Sequence, residues 1–368
     1  MHTVPPPMVE ALALARAALT ISNPNPRVGC VITDREGQVL GRGHTQQAGG
    51  PHAEVMALRD AAARSNAVTG ATAWVTLEPC SHHGRTGPCC DALAAAGIAR
   101  VVASLQDPNP LVAGEGFRRL RAAGVELDVG PGAAQSRELN LGFFSRMVRK
   151  TPWVRLKIAA SLDGKTALES GASQWITGEA ARADGHAWRA RADAVLTGIG
   201  TVLEDDPQLD VRMVETTRQP HLVVVDSRLE TPVTAKLFEC ERRVFIYYAV
   251  PGPARQEALA TKGATLIHLP DARGKVDLAA MLRDLAARDV NELHVEAGHK
   301  LNGSFVREGL VDELLVYLAP KLLGQGRDMA GFGPIADLSQ ALPLYFLATD
   351  MVGADLRIIA RIAGRDVF

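Results

Sequence analysis

The feature that most limits the fold of this chain is an alternation that runs twice. In the first half, short apolar runs take turns with helical patterns: "PPPMVEALALARAAL" reads as a helix, "RVGCVIT" as a strand, "HAEVMALRDAAARS" as a helix, "ATAWVTLEPC" as a strand, "CCDALAAAGI" as a helix and "ARVVASLQD" as a strand. Helices alternating with apolar strands cover a largely buried sheet, which predicts an α/β layer structure. After "FRRLRAAGVELDVG" and a helical "AAQSRELNLGFFSRMVRK", the segment "TPWVRLKIAAS" opens a new strand pattern behind a Pro. That restart puts a boundary near Lys150 and Thr151, with a first domain over residues 1–148 and a second over 149–368. The second part alternates again, with strands at "ADAVLTG", "HLVVVDS", "RVFIYYA", "NELHVEAG" and "DELLVYLAPKLL", helices at "GEAARADGHAWRARA" and "LAAMLRDLAARD", and a strand-like tail "ADLRIIARIAG". Two cores suit 368 residues better than one.

Charge and cysteine content narrow the function classes. With 40 basic and 41 acidic residues the net charge is -1, so nothing broad attracts a nucleic-acid backbone or an anionic membrane, and small molecules are the expected partners. Five cysteines are odd in number and sparse, which fits a reducing compartment better than a disulfide framework. The start lacks a signal-peptide pattern and no long apolar run occurs, so the expectation is a soluble cytoplasmic protein.

Chemistry concentrates in "GGPHAEVMAL" and "LEPCSHHGRTGPC". A catalytic zinc takes three protein ligands and keeps one position open for water, and His52, Cys80 and Cys89 supply one nitrogen and two sulfurs. Glu54 is then left for proton transfer to a departing amine. Residues two apart in a regular helix face nearly opposite ways, so His52 and Glu54 share a site only if the motif straddles the helix start; Pro51 and the glycines before it allow this. H-x-E followed by P-C and a second Cys is the zinc-deaminase pattern, except that eight residues rather than two separate Cys80 from Cys89. The alternative is a closed structural zinc site with a fourth ligand from His82, His83 or Cys90. Cys90, Cys30 and Cys240 read as buried small hydrophobes; His82 and His83 read equally as loop residues or as pocket lining. Asn23, Asp107 and Asn109 look first like turn formers.

"HAEV", "LEPCSHHGRTGPC" and "QDPNP" together resemble the deaminase half of the bifunctional riboflavin-biosynthesis deaminase and reductase family. "KIAASLDGKTA", "SGASQWITG", "GIGTVLEDDPQLDVR" and "VEAGHKLNGSF" resemble its reductase half, so the likeness runs in order from about Asn23 to Leu323. It implies a cytidine-deaminase-like three-layer α/β/α domain followed by a dihydrofolate-reductase-like α/β domain, one Zn2+ per chain, and NADPH. It implies hydrolytic deamination of a diaminopyrimidinone ribosylamine phosphate, then reduction of the ribosyl to a ribityl chain. A homo-oligomer is also within its range.

Carried over position by position, the resemblance gives His52, Cys80 and Cys89 to zinc and Glu54 to catalysis. It gives Ala159, Trp175, Thr201, Asp205, Ser227 and the stretch Gly298, His299, Lys300, Leu301, Asn302, Gly303 and Ser304 to the nicotinamide cofactor. Ser173, Arg189, Leu209, Arg212 and Glu296 go to substrate. The residues support part of this independently. "LHVEAG" ends a strand at a glycine that opens a helix, whose amides can bind a phosphate; Arg189 and Arg212 are forked donors for another; a carboxylate ending an apolar strand, as Glu296 does, is usually functional or paired. By pattern alone Trp175 could equally be core, Arg189 a solvated helix charge, and Asp205 and Asp206 a helix end. No G-x-G-x-x-G occurs, and "GQGRDM" at Gly324 carries Met in the third glycine's place, which disfavours a Rossmann fold. A polynucleotide deaminase would need a basic groove with aromatics, against 5% aromatic residues here, and a scaffolding protein with vestigial sites would not need the intact His52, Glu54, Cys80 and Cys89 set.

Overall fold

The computed structural model describes residues 3–81, 87–110 and 112–368. The chain divides into two compact units, Met1–Lys150 and Thr151–Phe368.

The first unit contains α1 (Pro6–Ala17), β1 (Gly29–Thr33), β2 (Val39–His44), α2 (Ala53–Ala63), β3 (Thr72–Val75), α3 (Cys89–Ala95), β4 (Arg100–Ala103), α4 (Glu115–Ala122), β5 (Glu126–Val129), α5 (Ala133–Leu139) and α6 (Leu141–Arg149). Its sheet has the order β2-β1-β3-β4-β5; β1 is antiparallel to both neighbours, and β3, β4 and β5 run parallel. Helix α1 covers one face through Met8, Ala11, Leu12 and Ala15 against Val31 and Val102, and α2 lies on the other face with α3 beside it. Alternate residues of β1 therefore serve both layers, which is why all five of its residues are buried.

Glycine sets how close α2 can come. A β-carbon on Gly41 or Gly43 of β2 would fall 2.2 Å and 2.3 Å from the backbone oxygens of Ala57 and Ala53, so the helix rests on the bare backbone of the strand. Facing them is a stripe of small residues, Ala53, Ala57 and Ala61, all fully buried. The helical stretch before the boundary is two helices broken at Asn140. Its buried amide accepts from the Arg27 backbone N–H and donates to the Arg27 and Ser136 carbonyls, a use that competes with helix continuation.

The second unit contains β6 (Trp153–Ser161), β7 (Lys165–Leu168), α7 (Glu179–Arg191), β8 (Ala194–Gly198), α8 (Ile199–Asp205), β9 (His221–Val225), β10 (Val244–Tyr248), α9 (Pro253–Thr261), β11 (Ala264–His268), α10 (Leu278–Ala287), β12 (Glu292–Val295), α11 (His299–Arg307), β13 (Glu313–Ala319), β14 (Gly326–Asp328), β15 (Leu344–Val352) and β16 (Asp355–Ile362). Nine strands form one sheet in the order β11-β10-β9-β8-β12-β6-β13-β16-β15, parallel up to β13 and antiparallel beyond it, while β14 pairs with β7 apart from it. Helices α10 and α11 cover one face with Met281, Leu282, Leu285 and Phe305.

The opposite face of the central strands carries charge. Arg155 of β6 is 1% exposed and reaches Glu292 of β12 at 3.1 Å and Glu313 of β13 at 2.6 Å. Arg191 of α7 closes on Glu292 and Arg361 of β16 on Glu313, both at 2.9 Å. The indole of Trp188 takes the Arg155 and Arg191 guanidinium groups at 4.4 and 5.3 Å from its ring centre. Each buried charge thus has an opposite partner, the condition for keeping it inside.

Candidate functional site

In the first unit His52 is the residue before α2, extended at φ -78 and ψ 169, and Glu54 lies in the first turn. That break in helical geometry turns His52 and Glu54 toward a common site. Cys80 follows β3 in a loop and Cys89 opens α3, where its backbone N–H donates to the Cys80 Sγ at 3.4 Å. The His52 Nδ1 stands 3.5 Å from the Cys80 Sγ and 3.4 Å from the Cys89 Sγ, and the three donor atoms lie within 4.8 Å of one another. A tetrahedral zinc with ordinary bond lengths sets nitrogen and sulfur about 3.5 Å apart, so these donors fit the ion in number, kind and spacing.

The three donor groups share their protons through hydrogen bonds. The Cys80 thiol is lowered well below its ordinary value because it accepts from Cys89 and His52, Cys89 is raised as the donor, and His52 is raised by its bond to Cys80. Glu54 is pushed up to about 7 by its burial, with the Cys80 charge adding to it. Cys90 points elsewhere: it is buried and its thiol donates to Asp91 at 3.4 Å, so among the described residues it supplies no fourth ligand. Cys30 is buried as its pattern suggested, whereas Cys240, expected to be buried as well, is only half-buried in the segment before β10. His82 and His83 lie outside the described residues.

Glu78 escaped the sequence reading. It is buried and accepts the backbone N–H groups of Asp107 (3.1 Å), Gly114 (2.9 Å) and Phe117 (3.2 Å), binding the "QDPNP" loop and the start of α4 to the Cys80 loop. The expected turn is present, since the Asp107 carboxylate accepts the Asn109 N–H at 2.8 Å. Burial raises Asp107 to about 7. A Glu two residues before a proposed ligand was the available signal.

In the second unit a pocket of about 800 Å³ opens where β6, β8 and β12 end, the usual place for a ligand in a parallel sheet. It is lined by Ala159, Ser173, Trp175, Arg189, Thr201, Asp205, Leu209, Arg212, Glu296, Gly298, His299 and Asn302. Glu296 stands just past β12. Arg189 grips its carboxylate with two nitrogens, the Nη2–Oε2 bond being 2.9 Å, and Lys157 lies 3.4 Å from Oε2. Burial alone would raise this carboxyl, yet Arg189 and Lys157 outweigh it and hold it well below the carboxylate range. Gly298 caps α11 in extended geometry, and Trp175 is 62% exposed over the pocket with the Arg182 guanidinium on its ring, so it is not core.

The pocket does not gather every expected residue. The Ser227 Oγ accepts the Val276 N–H at 3.3 Å, Leu301 packs against Gly198, Gly303 faces the Gly331 backbone, and Ser304 donates to Lys300 on α11. Lys157, Arg182, His186 and Arg327 also line the pocket and were not singled out in sequence. Lys157 could have been: it alternates with Arg155 on an otherwise apolar strand.

Comparison with known proteins decides the family. The cytidine and deoxycytidylate deaminase zinc-binding region matches residues 6–105, and the RibD C-terminal domain matches residues 152–350. The riboflavin biosynthesis protein RibD of Escherichia coli is 44% identical over 95% of this chain and 96% of its own length. The chain belongs to the RibD family. The Aquifex aeolicus RibD is 40% identical with coverage of 95% and 96%. Among solved structures, Acinetobacter baumannii RibD superposes with a TM-score of 0.88 at 40% identity, covering 97% of this chain and 98% of that one. A Thermotoga maritima diaminohydroxyphosphoribosylaminopyrimidine deaminase/5-amino-6-(5-phosphoribosylamino)uracil reductase gives 0.86 at 33% identity with the same coverage. RibD membership makes the chain a deaminase and reductase of riboflavin biosynthesis, with zinc in the deaminase half and NADPH in the reductase half. The α/β expectation holds in both units. Its substrate is a small molecule, and among the described residues no helix is long and apolar enough to cross a membrane.

Proposed function

We propose that this chain deaminates 2,5-diamino-6-(5-phosphoribosylamino)pyrimidin-4-one in its first unit and reduces the ribosyl chain of the product in its second. The observation that carries this is the meeting of His52, Cys80 and Cys89 beside the buried Glu54. When bound, zinc supplies an acidified water and NADPH supplies a hydride. His52, Cys80 and Cys89 are the ligands. Glu54, buried beside the ligands, holds the proton on its carboxylate and returns it to the departing amine.

In the second unit the bound cofactor takes Ala159, Trp175, Thr201, Asp205 and the start of α11, with Ser227 and the rest of Gly298–Ser304 in its surroundings, and the substrate takes Ser173, Arg189, Leu209, Arg212 and Glu296. Glu296 is kept ionised by Arg189 and Lys157, so it accepts hydrogen bonds from the sugar hydroxyls. Arg212, half exposed, offers its guanidinium to the sugar phosphate. The domains are assigned as deaminase over 1–148 and reductase over 149–368. Five free cysteines accord with a cytoplasmic location.

A homo-oligomer built on β15 is part of the proposal. This nine-residue strand ends the large sheet with Phe346 and Met351 70% and 65% exposed, an apolar edge that a second copy would cover. Light scattering of wild type and Phe346→Glu tests this: a wild-type monomer refutes it.

The functional test supplies the purified protein with the diaminopyrimidinone ribosylamine phosphate and NADPH. Ammonia release followed by NADPH oxidation is expected. No ammonia from zinc-loaded protein refutes the deaminase reading, and no oxidation with the deaminated intermediate refutes the reductase reading.

A further inference from the structure

The loop from Asp206 to Arg212 leaves α8 and carries two residues assigned to substrate, Leu209 and Arg212. Its backbone is unusual at Leu209, whose φ of 51 lies in the left-handed region although its side chain is buried. A branched residue there persists only where its surroundings over-determine it.

Those surroundings are side chains from elsewhere in the unit. Arg242, in the segment before β10, donates from Nη1 to the Leu209 carbonyl at 2.6 Å and from Nη2 to the Gln208 carbonyl. Arg189 donates to the Asp210 carbonyl at 2.9 Å, Gln219 closes on both the N–H and the carbonyl of Val211 at 2.8 Å, and the His186 Nδ1 accepts the Arg212 N–H at 3.3 Å. Five consecutive backbone positions are thus each held by a side chain. Arg242 holds two, and it does so at the strained residue. It lines no part of the pocket, whereas Gln208, Leu209 and Arg212 all do.

We infer that Arg242 is a positioning residue for the reductase substrate: its guanidinium fixes the Gln208 and Leu209 carbonyls and so aims Leu209 and Arg212 at the sugar phosphate. The inference rests on the reading that Leu209 and Arg212 face the substrate. A planar fork with two parallel donors suits two adjacent carbonyls in a way that a single amine cannot. Without it the loop samples other conformations, and the apparent affinity falls by the fraction of time the loop is correctly set.

The test compares Arg242→Met, Arg242→Lys, Arg212→Ala and the Arg242→Met/Arg212→Ala double variant in the reductase reaction, with ammonia release from the first unit as internal control. The Arg242→Met protein is expected to raise KM for the phosphorylated substrate about tenfold, with KM for NADPH and the deaminase rate unchanged. Arg242→Lys should recover part of the loss. The double variant should lose less than the sum of the two single losses, since Arg242 acts in part through Arg212. An unchanged substrate KM in Arg242→Met, a parallel rise in both KM values, or additive losses in the double variant overturns the inference. If Arg242→Met does not fold, Arg242→Lys decides: a raised substrate KM with normal NADPH KM supports the role, and a normal substrate KM overturns it. An Arg212→Ala protein that binds substrate normally overturns the reading of the pocket itself, and the inference with it.

Discussion

Replacing Gly43 by alanine tests how the first unit holds its ligands in place. The added methyl group would sit 2.3 Å from the Ala53 carbonyl oxygen and 2.4 Å from the Ala57 nitrogen, both backbone atoms, where ordinary contact begins at 3.4 Å. No side chain can swing aside, so the first turn of α2 must retreat by about 1 Å. That turn begins at Ala53, directly after His52 and directly before Glu54, so both move with it. Metal sites tolerate about 0.2 Å in their ligand distances, and a 1 Å displacement of catalytic groups costs about 10²-fold in rate. Overpacking should also remove about 1–3 kcal/mol of stability from this unit. Gly41→Ala is the matched control: its methyl group meets the Ala57 oxygen at 2.2 Å, one turn farther from His52, so it should destabilise similarly and slow deamination less. Zinc content after dialysis against a weak chelator, ammonia release and NADPH oxidation with the deaminated intermediate can be measured on one preparation. A Gly43→Ala protein that keeps its zinc and deaminates at the wild-type rate refutes the claim that the bare strand sets the position of α2.

Three further outcomes are expected. Glu54→Gln keeps the shape of the side chain but removes its proton exchange, and should slow deamination about 10²–10⁴-fold while zinc content and reductase activity persist; normal deamination would remove Glu54 from the mechanism. Cys80→Ser and Cys89→Ser should each lose zinc on metal analysis, and full occupancy in both would refute the ligand set. Glu296→Gln leaves Arg189 without its carboxylate and should cost about 3 kcal/mol or more at neutral pH. Because the folded carboxyl titrates below its unfolded value of about 4.3, its stabilisation is present above that pH and lost as the pH falls through the folded value. The gap in unfolding temperature between wild type and variant should therefore narrow on acidification, and a gap constant down to strongly acid pH would contradict this.

The fold was legible where strands are apolar on both faces, as in "RVGCVIT" and "HLVVVDS". β2 was missed because "VLGRGH" has glycines in the positions where a period would show, and those glycines are there for the helix that rests on them. β15 was missed because its apolar residues face outward on both sides at the sheet edge, so no polar alternation marks it. The break between α5 and α6 depended on Asn140 meeting Arg27, a partner 113 residues away. The same rule separates the two sites. His52, Glu54, Cys80 and Cys89 could be read because their chemistry is declared by residue type at short spacing. The hold of Arg242 on the Gln208–Leu209 turn could not, because a donor that serves distant main chain leaves no pattern at either end.

The charges buried across β6, β12 and β13 bear on how the large sheet assembles. Parallel apolar strands can slide past one another with little change in the hydrophobic contacts they make. Arg155, Glu292 and Glu313 forbid this, because a slip of one residue turns each to the opposite face, against the apolar packing of α10 and α11. A one-residue slip would then bury unpaired ions at a cost of several kcal/mol, while the native register closes all the pairs. The network works as an alignment key: it discriminates among competing pairings during folding, and so fixes the strand ends from which the reductase pocket is built.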